Sequence, residues 1–148
     1  MYSFSIFEKA GVAPQACAVV YGIKAGLLPC SVVPDFEEYM VTNKGVDGSS
    51  ELLVFEGTSD EAISTLFKAG YVDDGRGCDI LRCAILASLD SEGQTLLDDV
   101  EGVYADFGYP RDMEPFIYYM PSEGDPSTDS LIKRYRKFLV SEKARLGL

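Results

Sequence analysis

From Gln94 to Phe107 the apolar residues return at the interval of one helix face. With Leu96 at zero and about 100° per residue, Leu97, Val100, Val103, Tyr104 and Phe107 share an arc of about 120°. Asp98, Asp99, Glu101 and Asp106 fall outside that arc, so the segment is predicted to be an amphipathic helix with an acidic outer face. Gly108 suits the left-handed position after the last turn, and Pro110 prevents continuation. The C-terminal segment repeats the pattern with the opposite charge. Leu131, Ile132, Tyr135, Phe138, Leu139 and Leu146 share one face, and Lys133, Arg134, Arg136 and Lys137 lie opposite. Glu142 falls on the apolar side, where it is expected at the core margin or against a base. Asp125 as N-cap and Pro126 at the first helical position are expected to open this helix.

Weaker patterns fill the rest of the chain. Thr58 followed by Glu61 forms a capping box, worth about 1 kcal/mol, ahead of Ala62, Ile63, Leu66 and Phe67, and Gly70 closes that helix. From Cys78 to Leu89 nearly every side chain is apolar, with Asp79 and Arg82 pairing at i,i+3 on the polar strip, which predicts a central buried helix. Pro14 at a first helical position begins another, through Ala16, Val19, Val20 and Ile23 to Gly26. A further helix is read from Ser31 or Pro34 to Val41. Leu52 to Phe55 is an apolar run too short to show a period, so Glu51–Glu56 reads as a short strand or a helical turn. With no repeat, low-complexity tract or linker, residues 1–148 are expected to form a single compact all-α domain of about seven short helices.

Composition agrees with a globular domain: of 148 residues, 47% are hydrophobic and 25% charged. A chain of this length buries about 68–70% of its unfolded surface and needs no staple to fold. No basic leader precedes an apolar stretch at Met1–Lys9, so no signal peptide is expected. The apolar run from Ala16 ends at Lys24, well short of the roughly 20 residues of a membrane span, so no membrane association is expected. Cys17, Cys30, Cys78 and Cys83 lie in apolar segments and read as free thiols of a cytoplasmic protein. Charge changes the picture more. The formal net charge is −11; residues 1–125 hold 7 basic and 22 acidic residues, a net of −15, and residues 126–148 hold 6 and 2, a net of +4. Such an acidic body repels nucleic acid and attracts basic proteins.

The chain contains no histidine, which removes the commonest general base and metal ligand. Cys78 and Cys83 lack a second pair to complete a zinc site, and Asp73, Asp74 and Asp79 lack the alternation and closing Glu of a calcium loop. No phosphate-binding glycine loop or nucleophile elbow is present. Asp98, Asp99 and Glu101 could be nominated as an acid–base set, but a solvated helix face keeps carboxylates ionised and ordinary. No catalytic residue, metal or cofactor is therefore expected. The basic face of the last helix lacks the exposed aromatics of an RNA-binding surface.

The segment Val103-Tyr104-Ala105-Asp106-Phe107-Gly108-Tyr109-Pro110, followed by Phe116-Ile117-Tyr118-Tyr119-Met120-Pro121, resembles the signature of a small bacterial domain family of unknown function. That family reads Y-A-D-F-x-Y-P, then F-x-x-Y-M-P, then a terminal amphipathic helix. Tyr21-Gly22-Ile23-Lys24-Ala25-Gly26-Leu27-Leu28 is similar to its Y-G-L-x-x-G-L-L stretch. The resemblance implies a helical fold and an association with toxin–immunity loci, including contact-dependent inhibition systems, as an immunity protein without enzyme activity. Tyr104, Asp106, Phe107, Tyr109, Pro110, Tyr119, Met120 and Pro121 have a structural reading. Phe107 and Tyr104 anchor the helix, Gly108 turns it, Tyr109-Pro110 starts the next segment, and Met120-Pro121 stops it before an acidic loop at Glu123–Asp125.

The leading expectation is a non-enzymatic inhibitor of a basic toxin domain, a nuclease for instance, docking through Asp98, Asp99, Glu101 and Asp106. The alternative is a regulatory or structural adaptor whose acidity serves only solubility. A carboxylate-dependent hydrolase would need Asp or Glu with raised pKa in a concave pocket.

Overall fold

Helix α6, Gly77–Ala87, runs through the middle of the molecule with Ile80, Leu81, Ala84, Ile85 and Leu86 closed to solvent. The computed structural model describes residues 1–121 and 124–148, so the expected acidic loop at Glu123–Asp125 lies partly outside the described residues. Around α6 stand α1 (Ser5–Ala10), α2 (Ala16–Lys24), α7 (Gly93–Asp106) and α8 (Thr128–Leu146). Helices α3 (Val32–Lys44), α4 (Ser50–Leu53) and α5 (Ser59–Lys68) form a layer outside α2, and a 3-10 helix, Arg111–Phe116, joins α7 to α8. The fold is all-helical, one compact unit with no strand among the described residues.

The approach of α6 to α2 depends on a missing side chain. A Cβ on Gly77 would stand 2.1 Å from the Cys17 carbonyl oxygen, well inside van der Waals contact, so glycine is what lets the two backbones meet. Gly22 on α2 makes room for side chains instead: a Cβ there would stand 2.5 Å from Leu28 Cδ1 and 3.0 Å from Leu81 Cδ2 of α6.

Arg82 departs from its expected setting. Its pair with Asp79 forms, at 3.7 Å, but the guanidinium is buried instead of lying on a solvent strip. Its main partner is Asp112 on the 3-10 helix, with Glu142 of α8 at 3.6 Å. Arg145 in turn holds Glu142 through two bonds of 2.8 Å and reaches Asp79. Glu142 thus sits at the core margin against basic partners, as its position on the apolar face implied.

The capping box is present: Thr58 Oγ1 accepts from Glu61 N–H and the Glu61 carboxylate accepts from Thr58 N–H. Other starts differ from expectation. Helix α8 opens at Ser127, whose hydroxyl accepts from Ser130 N–H at 3.3 Å; Asp125 instead accepts from the Ser127 N–H and hydroxyl, forming a turn ahead of the helix. Gln15 is extended, so α2 begins at Ala16 and Pro14 lies outside it. Glu51–Glu56 contains a helical turn and no strand. The count of about seven also changes: eight α-helices and one 3-10 helix stand among the described residues. The additions, α1 and the 3-10 helix, are short segments held by packing, with Ile6, Phe7, Met113 and Phe116 buried.

Candidate functional site

Helix α7 presents the acidic residues, and the turn after it decides what surrounds them. Its last carbonyls accept from Phe107, Gly108 and Tyr109 N–H groups, the Tyr109 bond to Tyr104 being 2.9 Å. Gly108 and Tyr109 both take left-handed backbone, φ 72° and 61°, which reverses the chain. For tyrosine that conformation is costly. The reversal sets the Tyr109 ring edge-on to Tyr104, 5.2 Å between centroids, and Tyr119 approaches the same ring at 6.4 Å. Tyr118 packs on Tyr119 at 5.6 Å. Tyr104 is buried, but Tyr109, Tyr118 and Tyr119 are 60%, 54% and 46% exposed, so an aromatic surface opens beside the acidic helix.

The four acidic residues do not form one patch. At about 100° per residue Asp98 and Glu101 occupy one shoulder of α7, and Asp99 and Asp106 the other. On the second shoulder Asp106 accepts from the Tyr2 hydroxyl at 2.6 Å and Asp99 from the Ser91 hydroxyl. Burial and the Asp106 carboxylate raise the Tyr2 phenol far above its ordinary pKa, so this bond tethers the N-terminal segment to α7. On the first shoulder Asp98 accepts from Gln94 at 2.9 Å. There Asp98, Glu101, Gly102, Ala105, Tyr109 and Tyr119 line an open groove of about 430 Å³. Partial burial and the Glu101 carboxylate raise the Tyr119 phenol.

The remaining signature residues divide between core and surface. Phe107 is half-buried and stacks on Tyr21 at 6.2 Å, Met120 packs against the core, Pro110 is the extended residue before the 3-10 helix, and Pro121 is exposed. The exposed Tyr109–Tyr118–Tyr119 cluster escaped the sequence reading because aromatic residues in an apolar segment suggest burial. The signal available was that Tyr109 lies between Gly108 and Pro110, in a turn.

A larger cleft of about 480 Å³ lies between α1 and α3, lined by Phe4, Phe7, Val12, Pro14 and Tyr39, with Glu8 as its one carboxylate. On α8, Lys133, Arg136 and Lys137 are exposed, whereas Arg134 folds back to donate to the carbonyls of Pro115 and Asp125. Among the described residues no group of three Cys, Asp or Glu is placed to hold a metal ion, and no helix is long and apolar enough to cross a membrane.

A family model described as an uncharacterized protein conserved in bacteria, DUF2247, matches residues 4–143. The chain belongs to that family. No curated protein and no solved structure matches it. In this DUF2247 chain the matched span takes in all the groove residues and both tyrosine-bearing segments, together with the Arg82 network as far as Glu142.

Proposed function

We propose that this DUF2247 chain is a non-enzymatic, immunity-type protein of the cytoplasm that binds and neutralises a basic toxin domain. The observation that carries the reading is the surface around α7, where carboxylates stand beside three exposed tyrosines. Tyrosine gives large contact area at small entropic cost and is enriched at the centre of protein interfaces, while carboxylates select a partner of opposite charge. The net charge of −11 adds long-range attraction for such a partner. A nuclease must carry a basic surface to hold phosphate, and an acidic protein seated there excludes substrate. The toxin itself comes from the resemblance of the Y-A-D-F-x-Y-P and Y-M-P segments to proteins of toxin–immunity loci. Four free thiols suit a reducing compartment.

The deciding experiment is co-expression with the toxin domain encoded immediately upstream, followed by isolation of the pair. Rescue of growth together with a stable complex supports the reading. Two folded proteins that neither associate nor restore growth would transfer the case to an adaptor role.

A further inference from the structure

We infer that the groove beside α7 receives an arginine side chain projecting from the protein partner. The inference rests on the proposed function for the existence of that partner, and on the groove for where and how it is gripped.

The open groove is lined by two small residues, Gly102 and Ala105, two tyrosines, Tyr109 and Tyr119, and two carboxylates, Asp98 and Glu101. Gly102 is the informative residue. It sits inside α7 with ordinary helical backbone, and a Cβ there would meet no heavy atom within 4 Å beyond its own helix and chain neighbours. Neither the turn geometry nor the packing calls for glycine there, in contrast to Gly77 and Gly22. Glycine disfavours a helix interior. What the missing side chain leaves is open space in the groove beside the tyrosines and the carboxylates.

The chemistry around that space suits one kind of group. Glu101 makes no hydrogen bond or ion pair among the described residues, whereas Asp99 and Asp106 on the other shoulder already accept from Ser91 and Tyr2. An unpaired carboxylate beside exposed tyrosines attracts a cation that is also flat. Guanidinium stacks on aromatic rings and presents paired N–H donors to a carboxylate, while the lysine ammonium is a strongly hydrated point charge. A slot about 430 Å³ in volume accommodates the planar head and its apolar stem.

The test is a titration of the full chain, followed by two-dimensional amide NMR, with the peptide acetyl-Gly-Arg-Gly-amide and its lysine counterpart. The amides of Gly102, Ala105 and Tyr109 and the ring signals of Tyr119 are expected to move together and saturate with the arginine peptide. Glu101→Gln should weaken that binding about tenfold, and the lysine peptide should bind more weakly than the arginine one. Gly102→Leu, whose Cβ meets open space, should fill the groove and abolish the shifts while thermal unfolding stays at or above the wild-type temperature. Shifts centred on Asp99 and Asp106, equal responses to both peptides, or an unchanged titration of Gly102→Leu would overturn the inference. The outcomes separate it from the broader proposal. A toxin complex that forms equally well with Gly102→Leu removes the groove and keeps the immunity role, and a titratable groove in a protein that never binds the toxin does the reverse.

Discussion

Arg82 and Asp112 meet in a two-pronged pair, Nη1 to Oδ1 at 3.0 Å and Nη2 to Oδ2 at 2.7 Å, across 30 residues of chain. The arginine side chain is 6% exposed and the aspartate 47%, so a buried charge on the central helix meets a partner at the surface. Glu142, Asp79 and Arg145 extend the network, and the guanidinium lies 5.7 Å from the Phe138 ring centroid. The 3-10 helix and α8 are thereby tied to α6.

Replacing Arg82 tests that tie. Arg82→Ala removes the buried guanidinium, opens a void beside Phe138 and leaves the mostly buried Glu142 with Arg145 alone. The expected cost is about 3 kcal/mol, measured by urea denaturation. A loss below about 1 kcal/mol would mean the network behaves as an ordinary surface bridge.

The same small substitution at two glycines should have opposite signs. Gly77→Ala drives a Cβ into the Cys17 carbonyl, forces α6 away from α2 and is expected to cost about 2 kcal/mol. Gly102→Ala meets open space in a helix and should stabilise by about 0.5–1 kcal/mol. Thermal melts of the two variants beside wild type decide the matter.

Alkaline pH should unfold the protein partly through Tyr135. Burial pushes its phenol up to about 12, and its hydroxyl donates to the Leu86 carbonyl at the end of α6. The unfolded phenol ionises near 10, so between about pH 10 and 12 the folded state holds a proton that the unfolded state has released. The stability due to the neutral phenol is complete below pH 10 and is lost as pH rises through the folded value, about 2–3 kcal/mol in all. Tyr2 and Tyr71, both also raised, add to the slope. Tyr135→Phe should be less stable at pH 8 yet lose less than wild type between pH 8 and 11.5; parallel losses would remove Tyr135 from the account.

Charge reversal should distinguish the two shoulders of α7. With a cognate basic toxin, Asp98→Lys combined with Glu101→Lys should slow association about tenfold at low salt, an effect that fades as ionic strength rises. Asp99→Lys with Asp106→Lys alters the same net charge but also breaks the Tyr2 tether, so it should lower stability and affect dissociation less. Stopped-flow association and dissociation rates for both variants provide the comparison, and equal effects would show that only total charge matters.

Tyr109 shows where local reasoning about this chain stops. The Gly108-Tyr109-Pro110 triplet announces a turn after α7, yet the turn takes two left-handed residues in succession and swings a tyrosine outward over Tyr104. Tyr119 arrives at the same ring from beyond the 3-10 helix, so the groove is built by segments whose meeting no single stretch of sequence describes. The start of α8 displaced by two residues from Asp125 to Ser127 has a similar cause on a smaller scale: both side chains can cap, and the geometry of the preceding turn selects between them.

Helical class, the spans of α5 and α7, the apolar face of α8, the capping box at Thr58 and the inward side of Glu142 were determined by the sequence itself, because periodicity and capping act over one or two turns of chain. The burial of Arg82, the division of the four α7 carboxylates between two environments and the exposure of Tyr109 and Tyr119 were decided only in the tertiary structure. Periodicity names the side of a helix on which a residue stands, but what occupies the space opposite depends on segments that pack there from far along the chain.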